Sequence, residues 1–232
     1  VSGILEVMGS ALGTPVEIEF AVDLDKDESG RGCFYILQVK PLIRNIDSSI
    51  IDSNLVDRKD LLLCTYKGMG NGVIDEIKDI VYVVPEKFSN TETMQIAKEV
   101  AKINLEMKKN NARYILIGPG RWGSNDPFLG IPVDWAAISE AKVIVEASQE
   151  NFHVDASLGS HFFHNITSMN IGYFTVSPRI KDSFIDYRYI DSFSPAAETE
   201  HLRHIRFSEP VTVIMDGKKS VSIITKSGWK PE

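Results

Sequence analysis

Apolar and polar positions along this chain alternate in some stretches and recur every three to four residues in others, and the two periods predict different elements. Val16-Glu17-Ile18-Glu19-Phe20-Ala21-Val22-Asp23 alternates at its start. It predicts a strand with Glu17 and Glu19 on one face and Ile18 and Phe20 on the other. Cys33-Phe34-Tyr35-Ile36-Leu37-Gln38-Val39-Lys40 predicts a second strand, stopped by Pro41, with Gln38 and Lys40 sharing a face. A charged loop from Leu24 to Gly32 joins the two. Residues 1 to 15, interrupted by Gly9, Gly13 and Pro15, read as a lead-in.

Further along, Leu61 to Lys67 reads as a strand, Gly68 to Gly72 as a flexible turn, and Ile80 to Val84 as a buried strand closed by Pro85. Ser89 to Lys109 is the clearest helix. Ser89 and Glu92 have capping-box spacing, and Ile96, Val100, Ile103 and Met107 form an apolar stripe that reads as core. Asn110-Asn111 ends it, and Tyr114 to Ile117 is the next strand. A strand-helix-strand order predicts parallel pairing, with a ligand crevice at the strands' C-terminal ends. Asp134 to Ile138 predicts a short capped helix, Lys142 to Ala147 a strand ending near Glu146, and Ser157 to Met169 a helix. Ile171 to Val176 predicts a strand, and Phe184 to Phe193 a strand or extended segment. Ser194-Pro195 predicts the start of a helix running to about Arg203. Val211–Met215 and Ser220–Thr225 predict a hairpin across Asp216-Gly217. The expected fold is α/β, a mixed sheet with flanking helices preceded by a β-hairpin segment. Clustered Asp, Ser and Asn between Asn45 and Arg58 suggest a boundary, giving domains at residues 1–45 and 46–232.

Composition narrows this picture modestly. The 232 residues are 43% hydrophobic and 25% charged, enough for a sizeable core. The net charge of -7 disfavours a general nucleic-acid surface. No apolar run approaches the roughly 20 residues of a membrane span. The opening Val1-Ser2-Gly3, with no Met and no signal peptide, reads as a piece of a longer protein. Cys33 and Cys64 sit in apolar stretches and read as buried free thiols of a reducing, cytoplasmic protein.

Three places carry candidate chemistry. In a suitable hairpin register, Glu17 and Glu19 lie near Gln38 and Lys40. Carboxylates bind Mg²⁺ and a cation offsets phosphate, while the plainer reading is a solvated face with cross-strand ion pairs. After Tyr114–Ile117 comes Gly118-Pro119-Gly120-Arg121-Trp122-Gly123-Ser124. Its backbone amides, those of Gly118, Gly120 and Gly123 among them, with the Arg121 guanidinium, offer an anion site. The alternative is a tight turn with Trp122 packed beneath and Arg121 paired to an acid such as Asp126. His161 and His164 near the start of the 157–169 helix suit hydrogen-bonded structural histidines, an anion site with His161, or, with His153 and Asp155, a metal site without standard spacing. His201 and His204, with Arg203 and Arg206 nearby, read as a polar face. No arrangement identifies a catalytic nucleophile.

The stretch GTPVEIEFAVD…FYILQVKPL resembles the closing hairpin of the ATP-grasp domain of phosphoenolpyruvate synthase and pyruvate phosphate dikinase. Those enzymes carry an acid-x-Glu strand followed by a Leu-Gln-x-Arg-Pro strand. The resemblance, over residues 13 to 42, implies that Glu19 stands at the metal-binding glutamate, Glu17 at the acid two residues before it, and Gln38 at the glutamine. Lys40 stands where arginine is usual, which keeps the charge but loses the bidentate fork. LIGPGRWGSNDPFLGIPVDW, AKVIVEAS and GSHFFHNITSMNIGYFTV resemble the C-terminal region of bacterial phosphoenolpyruvate synthase-like proteins, over residues 60 to 215. The phosphohistidine motif and pyruvate-handling barrel of phosphoenolpyruvate synthase and pyruvate phosphate dikinase have no counterpart here.

The resemblance implies an ATP-dependent phosphotransferase, a kinase acting on a pyruvate-like acceptor, with ATP and Mg²⁺ as cofactors. The upstream ATP-grasp domain of the same polypeptide is the implied partner, and this chain by itself is expected to be inactive. Two alternatives stand beside it. One is a regulatory module holding an anionic metabolite at Gly118, Gly120, Arg121, Gly123 and His161. The other is an architectural domain that packs on the ATP-grasp body or forms a homo-oligomer.

Overall fold

The computed structural model describes residues 2–12, 16–25, 30, 32–41, 56–124, 126, 128–148, 152 and 171–230, and the chain divides into two units, Val1–Ile46 and Asp47–Glu232. In the first, helix α1 (Ser2–Leu12) packs against strands β1 (Val16–Asp23) and β2 (Cys33–Pro41). Residues 2–12 are thus a helix rather than the expected lead-in. Ile4, Leu5 and Met8 recur at helical spacing and are half-buried, so side-chain periodicity overrides the weak propensity of Gly3 and Gly9. Strands β1 and β2 form an antiparallel pair. Cys33, expected to be buried, is exposed, whereas Cys64 is buried as expected.

The second unit is built on a ten-stranded mixed sheet. In chain order its elements are β3 (Leu61–Thr65), β4 (Gly68–Met69), β5 (Asn71–Val83), helix α2 (Thr93–Lys109) and β6 (Tyr114–Pro119). The pair β7 (Arg121–Trp122) and β8 (Gly130–Ile131) stands outside that sheet. Then follow β9 (Ala141–Ala147), β10 (Gly172–Val176), β11 (Phe184–Ile185), helix α3 (Tyr187–Asp191), β12 (Ala197–Glu198), β13 (Leu202–Asp216) and β14 (Val221–Thr225). The spatial order is β11-β3-β14-β13-β5-β6-β9-β10-β4, with β12 paired to β13. β5, β6, β9 and β10 run parallel to one another, and the flanking pairs are antiparallel.

The segment 61–69 curls this sheet round. Its first half pairs with β14 and its last two residues pair with β10. Between them the Thr175 amide donates to the Lys67 carbonyl at 3.0 Å, and the Thr65 hydroxyl donates to the Thr175 carbonyl. β3, β6, β9 and β10 are buried along nearly their whole length and so bury both faces. Ile115, Ile117, Val143, Val145, Phe174 and Val213 fill the concave side. Tyr114, Leu116, Ile144 and Tyr173 face outward under α2, where Ile96, Val100, Ile103 and Met107 cover them. The α2 stripe is core, as its spacing predicts. The buried Asn104 of α2 joins this layer to the turn at Ala136–Ile138 and the residues after it. Its amide donates to Ala136 O and Ser139 Oγ, and its oxygen accepts from Tyr114 Oη and the Glu140 amide.

Four local expectations fail for tertiary reasons. β5 starts at Asn71, not Ile80, because the long β13 pairs along it from Leu202–Val83 to Asp216–Asn71. The helix expected from Ser194 is instead β12 and the start of β13, since Ala197 and Glu198 pair with His204 and Arg203. Phe184–Phe193 is a two-residue strand and then α3, whose N-cap Asp186 accepts the Tyr189 amide at 3.0 Å. The Ser89/Glu92 capping box does not form: Glu92 is the N-cap of α2 without a side-chain cap, and its carboxylate turns to His201. The helix expected at Ser157–Met169 lies outside the described residues.

Candidate functional site

Hairpin register decides whether the first unit has a site at all, because a slip of one residue moves a strand's side chains to the opposite face. Glu17 stands opposite Lys40 and Glu19 opposite Gln38. Opposed positions, and positions two apart, share a face, so 17, 19, 38 and 40 lie together on one side of the hairpin. The side chains of Glu17 and Lys40 are outside the described residues; those of Glu19 and Gln38 are exposed. The register shifts immediately afterwards, and Phe20 pairs with Ile36 so that Leu37 is the extra residue of a bulge. A bulge increases local twist and re-aims neighbouring side chains. The Phe20 and Phe34 rings stack 4.6 Å apart.

The glycine loop of the second unit has a different employment. β6 ends at Pro119, Gly120 turns the chain at a φ of 69°, and β7 pairs parallel to β8. Trp122 is fully buried, and its indole Nε1 donates to the Val145 carbonyl at 3.1 Å. Its amide donates to the buried Glu146 carboxylate at 3.2 Å. The amides of Arg121 and Gly123 donate to Leu129 O and Ile131 O at 3.0 and 2.9 Å. A Cβ at Gly118 would lie 2.3 Å from the indole. The loop therefore spends the amides of Arg121, Trp122 and Gly123 inside the chain. Glu146 supplies the negative charge at the loop, and Gly118 makes room for the tryptophan. Asp126 accepts the Phe128 amide at 2.9 Å, closing the turn that follows. His161, His164, His153 and Asp155 are outside the described residues, so the histidine part of the anion reading is too.

His201 and His204 are not a polar surface but two buried histidines, each held by a buried carboxylate. His201 Nδ1 lies 2.9 Å from Glu99 Oε1, and its Nε2 lies 3.2 Å from Glu92 Oε2. The other oxygen of Glu99 accepts from Thr199 Oγ1 at 2.6 Å and from the His201 amide at 3.1 Å. Burial pushes the Glu99 carboxyl up, but these donors more than offset it and hold it below the ordinary value. Burial likewise pushes the His201 imidazole down, and Glu99 and Glu92 more than offset that, raising it. His204 Nε2 lies 2.6 Å from Asp79 Oδ1, which is also 3.6 Å from Arg206 Nε. An open cleft of about 380 Å³ reaches Asp79, lined also by Lys78, Asn110, Arg113 and Arg206. It sits at the N-terminal end of the parallel strands, where Asp79 pairs with Tyr114. Its cations are already engaged: Arg113 pairs with Glu140, and Lys78 donates to Ser208 O at 2.6 Å.

Sequence reading missed the Glu99–His201 pair because it took residues 194–203 for a helix. One signal was present: Glu99 lies three residues after Ile96 and four before Ile103, inside the apolar stripe, where a carboxylate needs a buried partner. Comparison of the chain with protein-family models, with curated proteins and with solved structures finds no match. No helix among the described residues is long and apolar enough to cross a membrane.

Proposed function

We propose that the first unit supplies part of a Mg²⁺–nucleotide site in a phosphoenolpyruvate synthase-like, ATP-dependent phosphotransferase. The observation that carries this reading is the hairpin register, with Glu17 opposite Lys40 and Glu19 opposite Gln38. In this reading Glu19 and Glu17 hold the metal, and Gln38 and Lys40 face the phosphates. Bound Mg²⁺ draws charge from phosphate oxygens, the main demand of phosphoryl transfer besides positioning. Two carboxylates, an amide and an ammonium neither position an acceptor nor enclose a nucleotide. The remaining contacts come from an ATP-grasp domain preceding the hairpin in the same polypeptide, and the acceptor is a pyruvate-like acid. The hairpin therefore binds and does not by itself catalyse.

The test is nuclear magnetic resonance of the chain with ATP and Mn²⁺ in place of Mg²⁺, since the paramagnetic ion broadens signals near it even when binding is weak. Broadening should centre on the amides of residues 17–19 and 38–40, disappear in Glu19→Ala and persist in Arg121→Ala. Broadening elsewhere, or unchanged by Glu19→Ala, refutes the assignment. Broadening lost only in Arg121→Ala moves the anion to the glycine loop and favours a regulatory module. Phosphate release from ATP that scales with this chain and vanishes in Glu19→Ala would show that the hairpin catalyses alone.

A further inference from the structure

We propose that Glu92, Glu200 and His201 form a binding site for a divalent transition-metal ion of the zinc class. The site belongs to the second unit and is independent of the hairpin. Its centre is His201, with 3% of its side chain exposed. Glu99 fixes the ring: its carboxylate, locked by the Thr199 hydroxyl and the His201 amide, stands 2.9 Å from Nδ1. An ionised carboxylate only accepts, so Nδ1 carries the proton. In the neutral ring Nε2 then presents a lone pair, and what faces it at 3.2 Å is Glu92 Oε2, another acceptor. Two acceptors at that distance require a positive charge between them, either a second proton on the ring or a metal ion.

Glu200 adds a third ligand atom for the second option. The ligand atoms of Glu92, Glu200 and His201 all lie within 4.8 Å of one another. Among the described residues, no Lys or Arg forms an ion pair with Glu92, Glu99 or Glu200. A cation arriving there displaces no lysine or arginine from an ion pair with these carboxylates. Zinc bonds of about 2.0–2.1 Å in a tetrahedron set ligands roughly 3.3 Å apart, close to the 3.2 Å between His201 and Glu92. Glu92 and Glu200 are exposed, so their carboxylates can turn towards an ion without disturbing the core. The imidazole favours a transition metal over Mg²⁺ or Ca²⁺, which take oxygen ligands. Glu99 behind His201 is the outer-shell carboxylate that orients a metal-binding histidine and raises its basicity. Three protein ligands leave one position for water.

The experiment uses the tag-free chain with Zn²⁺ as the probe. Calorimetric titration near neutral pH is compared among wild type, Glu92→Gln and Glu200→Gln, beside thermal unfolding with and without Zn²⁺. Both substitutions are at exposed side chains, so both variants fold. The expected result is a saturable site in the wild type and raised thermal stability with Zn²⁺. Losing an outer-shell partner costs about ten- to a hundredfold in affinity, so losing a direct ligand should cost at least about tenfold. No zinc binding by the wild type overturns the proposal and leaves a proton on His201 as the compensating charge. Equal zinc affinity in all three proteins also overturns it, because the ion is then held elsewhere.

Discussion

Gly118→Ala tests whether the glycine loop exists to seat Trp122. The new methyl group would stand 2.3 Å from Cζ2, 3.0 Å from Cη2 and 3.1 Å from Cε2 of the indole. Carbon atoms pack comfortably at about 3.5–4.0 Å, so the ring must retreat by more than an ångström. It is held on two sides, by Nε1 on the Val145 carbonyl and by its own amide on Glu146. Overpacking of this kind costs about 1–3 kcal/mol. Losing the indole hydrogen bond adds about 1 kcal/mol, and alanine's smaller entropy loss in a strand returns up to about 1 kcal/mol. The net expectation is a destabilisation of about 1–4 kcal/mol. Urea unfolding followed by near-ultraviolet circular dichroism measures it. In a Trp122→Leu background the same substitution should cost at least about 1 kcal/mol less, because the ring it strikes is gone. A Gly118→Ala protein within about 0.5 kcal/mol of wild type, or an equal penalty in both backgrounds, refutes the packing argument and returns the glycines to a ligand-binding role.

Other consequences are open to measurement. Among the described residues, His204→Ala leaves the buried Asp79 carboxylate with Arg206 at 3.6 Å as its ion-pair partner, and should lower unfolding free energy by about 3–5 kcal/mol, as removal of one partner from a buried pair does; chemical denaturation checks it. Asp186 carries a pH dependence. Burial pushes its carboxyl up, but the Lys226 ammonium and the Tyr189 amide hold it below the ordinary value. A lowered folded value adds stability above the unfolded carboxylate range, and that stability is lost as pH falls through the folded value. Lys226→Met should therefore flatten the acid limb of stability against pH, read from melting temperatures. Ser220 sits at a φ of 57° in the turn before β14. Ser220→Gly relieves a left-handed backbone cost of about 1–2 kcal/mol at some expense in chain entropy, and should raise stability by roughly 0.5–1 kcal/mol in the same denaturation assay.

The sequence by itself determined those elements whose side-chain period settles them. The α2 stripe, the strands Val16–Asp23 and Cys33–Lys40, the crossover into Tyr114–Ile117 and the last hairpin are all visible as local patterns. Spacing alone sorts each into faces; α2, Tyr114–Ile117 and the last hairpin bury theirs, whereas Phe20, Val22, Tyr35, Ile36 and Leu37 of the first hairpin are exposed. Turn chemistry and apolar runs thus fixed the α/β class. What only the tertiary structure decided is pairing and partnership. The polar start of β5 is a strand because it lies against residues 211–216, and 202–206 are strand because they lie against 79–83, pairings between residues more than a hundred positions apart. Their local composition, rich in Asp, Glu, His and Arg, points elsewhere. The hairpin register, the engagement of the loop amides with Glu146, and the meeting of Glu99 with His201 are likewise long-range facts. A carboxylate or histidine in sequence is polar anywhere. Whether it faces water, a loop amide or another buried charge depends on which strand lies beside it, and sheet pairing is set by the whole core rather than by neighbours along the chain.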